Sequence, residues 1–343
     1  MTSQKQLDPL PHDFTDLLAL SAEFGQNALH IQGAGGNVSI KHGDTMWIKA
    51  SGTMLADALT QDVFVPVDLA RMKVSVADNK PDADTPAAFL IPGASDLRPS
   101  IETSLHAVFS QRVVLHTHCI HTIAHAIQTN ACDLLAARLR DFSWAFVPYT
   151  KPGANLARSV MEVLKPNTNV IVLGNHGLIV AGESVNAVRA LQNAVHKALF
   201  LPATTLECAD LATLMTRVDD GFYCLPDDPM LHQIAISERR VSLVTKGSLY
   251  PDHVIFCGIA VTALTPEKMT KNVLEQPICL LVPDVGLLLR KDASTGAKTM
   301  LRCLADVITR LPEDAVLTYL TQEQNFELLD WDAEKYRKAL NAE

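Results

Sequence analysis

The sequence has no Cys-x-x-Cys pair, no run of basic residues, no internal repeat and no long apolar stretch. Each absence removes a class of protein. Nothing approaches the ~20 apolar residues that a membrane-spanning helix needs, so a bilayer protein is not expected. Residues 1–11 are polar and lack the apolar segment of a secretory leader. Lys and Arg total 29 against 38 Asp and Glu, a formal net charge of -9. Without a basic stripe, recognition of nucleic acid through its phosphates is not expected. Seven cysteines, Cys119, Cys132, Cys208, Cys224, Cys257, Cys279 and Cys303, stand scattered along the chain. An odd, unpaired set points to free thiols in a reduced, cytoplasmic protein rather than to a disulfide framework.

What is present is apolar and patterned. The 343 residues are 48% hydrophobic, enough for two cores. Apolar periodicity predicts helices over residues 13–30, 100–109, 120–128, 134–140, 155–164 and 184–201. Short strands are predicted over 38–41, 45–49, 63–67, 113–118, 146–149, 170–173 and 178–181, with a short helix at 54–58. Residues 77–98, rich in Pro, Asp and Ala, read as a long surface loop. This alternation predicts an α/β domain over residues 10–203 and a smaller α+β unit over 204–343. In the second unit a helical stretch is expected at 206–217 and strands at 241–245 and 253–257. A hairpin over 278–289 and helices at 294–310 and 333–340 complete that reading.

The chemistry concentrates in the first unit. His116 and His118 lie two apart on a predicted strand and so face the same side. His176 follows another apolar strand between Asn175 and Gly177, at a turn where exposed functional side chains are common. Three histidines with one open position describe a catalytic zinc site. The ordinary alternative for His116 and His118 is a pair of half-buried structural imidazoles. Cys119 points to the other side of the strand and is not made a ligand. His121 and His125 share a helix face, and read as surface or pocket-wall residues. Glu102 stands in the first turn of a predicted helix, where the dipole alone favours a carboxylate. Near a metal and out of water, its raised pKa would instead suit a general base.

Taken together, Gly36-Asn37-Val38-Ser39, Ser51-Gly52, Ser100-x-Glu102, His116-x-His118 and Asn175-His176-Gly177-Leu178 resemble, in that order, the class II aldolase and adducin family. This family includes fuculose-phosphate and rhamnulose-phosphate aldolases and ribulose-phosphate 4-epimerases. The resemblance covers residues 13–201. The whole chain is also similar to the aldolase half of bifunctional rhamnulose-phosphate aldolase/alcohol dehydrogenases, without the dehydrogenase half.

The resemblance implies a three-layer α/β/α domain around a mostly antiparallel sheet. It implies one Zn2+ per chain on His116, His118 and His176, and Glu102 as the acid/base group. It assigns Gly36, Asn37, Ser51, Gly52 and Ser100 to the substrate phosphate. Turns of this kind bind anions through backbone N–H groups without Lys or Arg. Tyr149, Lys151 and His253 are weaker pocket candidates. Ala34 and Ile101 stand where many sugar-phosphate aldolases carry hydroxyl residues, so an unphosphorylated acid or sugar stays open as substrate. The implied reaction is retro-aldol cleavage of a sugar or sugar phosphate in carbohydrate metabolism. Its rivals are decarboxylation of a 3-keto sugar acid phosphate, 4-epimerisation, and an adducin-like interaction module. Epimerases of the family usually carry Asp where this chain has Glu102. The family also implies a homo-oligomer, a tetramer by preference.

Overall fold

Seven strands form the central sheet of the first unit in the computed structural model, which describes residues 7–207, 211–216, 221–263 and 277–330. Contacts divide the chain into two compact units, Met1–Ala126 with Cys132–Phe200, and Ile127–Ala131 with Leu201–Glu343. No helix among the described residues is long and apolar enough to cross a membrane.

The first unit opens with α1 (Phe14–Gly25), β1 (Asn37–His42), β2 (Thr45–Lys49), β3 (Phe64–Asp68) and α2 (Leu69–Ala77). It continues through α3 (Thr103–Ala107), β4 (Val113–Thr117), α4 (Ile120–Ala126), α5 (Ala131–Arg138) and β5 (Trp144–Val147). It ends with α6 (Ala154–Val163), β6 (Val170–Leu173), β7 (Gly177–Gly182) and α7 (Val185–Ala198). The strand order is β3-β2-β1-β4-β7-β6-β5, antiparallel throughout except between β5 and β6.

Helices cover both faces, giving the expected layered α/β fold. On one face α2, α3 and α6 pack together over Met46, Ile48, Val65, Val114, Ile171 and Ile179. On the other lie α1, α4 and α7. Because side chains alternate along a strand, Val114 and His116 face the α3 side and Leu115 and Thr117 the α7 side.

One element of this unit was not expected, and one expectation gives way. Helix α2 begins inside a stretch that alternation did not mark; Asp68 caps it by accepting the Arg71 N–H at 3.1 Å. The predicted surface loop over 77–98 holds two short 3-10 turns, Pro81–Asp84 and Pro86–Phe89. Ala83, Phe89 and Ile91 from this stretch are buried, the first two in the core on the α3 side.

The second unit contains α8 (Leu211–Thr216), β8 (Tyr223–Cys224), α9 (Glu238–Thr245), α10 (Pro251–Cys257) and β9 (Thr262–Ala263). The strands β10 (Cys279–Val282) and β11 (Gly286–Arg290) follow, then α11 (Thr295–Ile308) and α12 (Gln322–Leu329). Its sheet runs β8-β11-β10-β9, with the expected antiparallel hairpin at β10 and β11. The expected strands at 241–245 and 253–257 are instead α9 and α10. Ser237 caps α9 by accepting the Arg240 N–H at 3.2 Å, and Pro251 occupies the first turn of α10, where no N–H is needed. The short segment Ile127–Ala131 belongs with this unit, bonded through Thr129 N–H to the Val316 carbonyl and by the Ile127 carbonyl to Thr318 N–H. The helix expected at 333–340 lies outside the described residues.

Candidate active site

The end of β4 brings three imidazoles and a carboxylate to one point. The ligand nitrogens of His116, His118 and His176 all lie within 4.8 Å of one another. Their ring centroids are 4.9–5.2 Å apart. All three rings are buried.

Each histidine is placed by a different local device. Gly36, at φ +64, turns the chain into β1; a Cβ there would meet the His116 carbonyl at 2.9 Å. That left-handed conformation and close approach require glycine. Asn37 then pairs directly with His116 across the sheet. A Cβ on Gly35 would lie 2.9 Å from His118 Nδ1. His176 ends the β6–β7 turn, its N–H bonded to the Leu173 carbonyl, after Asn175 at φ +52. Asn tolerates that conformation better than most residues. At Gly177 a Cβ would collide with the Thr117 carbonyl and meet His116 Cε1 at 3.2 Å.

The donor set fits a divalent ion. Two nitrogens on one tetrahedral zinc stand about 3.3 Å apart; His116 Nε2 and His118 Nε2 stand 3.2 Å apart. His116 Nδ1 lies 3.0 Å from the Leu178 carbonyl. A carbonyl only accepts, so Nδ1 carries the proton and Nε2 keeps its lone pair, as a metal-ligating histidine requires.

Glu102 is the N-cap residue of α3, yet its side chain makes no capping hydrogen bond. It turns instead toward the imidazoles, with Oε1 3.6 Å from both His116 Nε2 and His176 Nε2. Oε2 accepts the Asn37 amide at 2.6 Å. The carboxylate is thus engaged with the imidazoles and not with the end of the helix. The expected raised pKa is not found. Burial, the largest single influence, pushes the carboxyl up, but the charge that the imidazoles of His116, His176, His118 and His106 take on in acid outweighs it and brings the pKa down to about 2. Glu102 is therefore ionised at neutral pH. Behind it, His106 on α3 lies 2.8 Å from Ser39 Oγ and fixes the helix against β1. Burial, partly opposed by Glu102, keeps His106 neutral, its pKa down to about 3.

The expected anion-binding segments converge. Ser100 N–H donates to the Lys49 carbonyl and Ser51 N–H to the Arg98 carbonyl, which seats the Ser51-Gly52 turn beside Ser100. Gly52 has φ +80. Ser100 Oγ accepts the Glu102 backbone N–H at 3.2 Å, so it fixes the backbone from which the carboxylate projects. Asn37, expected at a phosphate, has its amide on Glu102 instead. One residue escaped the sequence reading. Lys49 ends β2 after Met46, Trp47 and Ile48, is 2% exposed, and donates its Nζ to the Ala34 carbonyl at 2.7 Å. Its charge stands among the same three segments. A lysine at a buried strand position was the available signal.

The remaining candidates are separate. The Tyr149 backbone lies against Gly174, near the His176 turn. His253 belongs to the second unit, buried on α10 with its ring 6.0 Å from that of Tyr250. His121 and His125 are neither surface nor triad residues: His121 packs against His196 and Phe200, and His125 Nε2 lies 3.2 Å from the Leu199 carbonyl. Cys119, as expected, points away from the triad, to His196 Nδ1 at 3.6 Å.

Residues 15–200 match the Class II Aldolase and Adducin N-terminal domain, and the chain belongs to that family. Among curated relatives, an uncharacterised oxidoreductase, YuxG of Bacillus subtilis (strain 168), is 27% identical over 189 residues. The match takes in 51% of this chain but only 27% of YuxG, so the chain corresponds to about a quarter of that relative's length. The L-fuculose phosphate aldolase of Methanocaldococcus jannaschii is 24% identical over 163 residues, 46% of this chain and 77% of that protein. The N-terminal class II aldolase domain of a conserved protein from Thermoplasma acidophilum shares the fold, with a TM-score of 0.50 at 22% identity. That likeness covers 58% of this chain and 97% of the other.

Proposed function

We propose that this protein is a zinc-dependent lyase that cleaves a carbon–carbon bond of a ketose phosphate by a retro-aldol reaction. The observation that carries this reading is the position of Glu102. An ionised carboxylate stands 3.6 Å from two of the three imidazoles, its other oxygen held by Asn37 and its backbone N–H by Ser100. The likeness to L-fuculose phosphate aldolases supports the substrate class.

His116, His118 and His176 would hold the ion. When bound, a divalent ion supplies a Lewis acid that polarises substrate oxygens. Glu102 Oε1, which accepts no hydrogen bond among the described residues, is the atom that takes a proton from the substrate or returns one to the carbon that becomes electron-rich on cleavage. Asn37 keeps the other oxygen engaged and so fixes which one reacts. The Gly36, Ser51-Gly52 and Ser100 segments, with the Lys49 ammonium among them, hold the anionic end of the substrate. Burial of the whole cluster excludes water, which strengthens each of these interactions.

The test is a panel of ketose phosphates and keto acid phosphates with zinc-loaded protein, scoring aldehyde and carbon dioxide separately. Aldehyde release without carbon dioxide is expected. Carbon dioxide release from a keto acid, with no aldehyde from any ketose, would replace the aldolase reading with decarboxylation.

A further inference from the structure

A second cluster lies on the opposite face of β4, between the strand and α7. One donor atom each from His30, Cys119 and His196 lie within 4.8 Å of one another. Cys119 is fully buried and His30 nearly so. The rings of His30 and His196 are 4.3 Å apart at 35°, and His121 stands beside them, 4.7 Å from His196. This cluster takes no part in the chemistry proposed above.

We infer that His30, Cys119 and His196 form a second site for a divalent transition metal ion of the zinc class. The spacing carries the inference. A thiolate and an imidazole on one tetrahedral zinc, at about 2.3 Å and 2.05 Å, hold S and N about 3.6 Å apart. Cys119 Sγ and His196 Nδ1 stand at 3.6 Å. A mixed sulfur and imidazole set selects zinc and its neighbours over magnesium or calcium.

A side-chain amide and an aromatic ring hold the cluster in place. Gln192, one turn before His196 on α7, sets its Nε2 3.0 Å from His30 Nδ1 and donates to Thr117 Oγ1 at 3.2 Å, which fixes the orientation of the His30 ring. Phe24, with its ring 4.9 Å from that of His30, closes the apolar side. Cys119 follows His118 in the chain. An ion here therefore clamps α7 to the strand end that carries the first site.

Cobalt separates the two sites, because only the second contains sulfur. Wild-type protein titrated with Co2+ should take up a second ion per chain and develop a near-ultraviolet thiolate-to-cobalt charge-transfer band. Cys119→Ser and, independently, His196→Ala should each abolish the band and remove one ion per chain, with the triad ion retained. His196→Ala, at a half-buried helix position, keeps the test informative where the buried Cys119 change disturbs folding. A single ion per chain with no band in the wild type would overturn the site and leave Cys119 and His196 as a hydrogen-bonded pair. A band that survives in both variants would place the thiolate elsewhere and overturn it equally.

Discussion

On the α3 side of β4, three imidazoles share their space with a carboxylate; on the α7 side, three imidazoles share theirs with a thiol. The strand is the same and the burial is similar. What differs is the anion beside the ligands and what anchors it. Glu102 is held by Asn37 and Ser100 with one oxygen turned to the imidazoles, an arrangement suited to moving protons. Cys119 is a backbone neighbour of His118 that faces a helix side chain, an arrangement suited to fixing two elements together. On the roles proposed above, alternation along one strand would divide reaction and cohesion between its two faces.

The largest effect that separates the faces is loss of the triad ion. His176→Ala should remove that ion and reduce carbon–carbon cleavage to background, as measured by metal analysis and turnover on one preparation. The cobalt–thiolate band of the other face should remain. Turnover that survives without the ion would break the assignment of roles.

Next in size is Glu102→Gln. Turnover should fall by about two to four orders of magnitude, the usual contribution of a placed proton-transfer group. Asn37→Ala should cost about 10–100-fold, in the range of residues that orient a reacting or ligating group. Its ion content should be unchanged, and the loss should lie in kcat more than in KM. An Asn37 whose only role was to grip the substrate would show the reverse.

The smallest effect concerns a histidine that belongs to neither cluster. Burial pushes His253 down to about 4, whereas an unfolded histidine titrates near about 6.5. Between those values the unfolded chain binds the extra proton, so this group's contribution is complete above about pH 6.5 and is lost as the pH falls toward 4. His253→Gln should therefore reduce the acid-induced fall in Tm by a few degrees. A scan of Tm against pH checks this, and identical slopes in both proteins would contradict it.

How much of this was legible in the sequence follows from the range of each signal. His116 and His118 were legible because a strand's period of two is a local property, and His176 because glycines bracket it. The layered sheet was legible from alternating elements. The state of Glu102 was not: burial alone predicts a raised pKa, and only the folded chain shows which imidazoles stand around the carboxylate. The role of Asn37 depended on its register opposite His116, which no local pattern carries. His30, Cys119 and His196 are far apart in sequence and meet only through packing of α7. In the second unit, Val241–Thr245 and the stretch around His253 carry β-branched and apolar residues that favour strands. Ser237 and Pro251 start helices there, and packing follows the caps.

The central claim is that Glu102 moves the proton while the three histidines hold the ion. Its most direct test is exchange of the substrate's α-proton with deuterated water, a step that needs a base but no bond cleavage. Glu102→Gln, with zinc content and Tm verified on the same preparation, should retain the ion and the fold and show no exchange above background. Exchange at the wild-type rate with zinc bound would show that a different residue is the base.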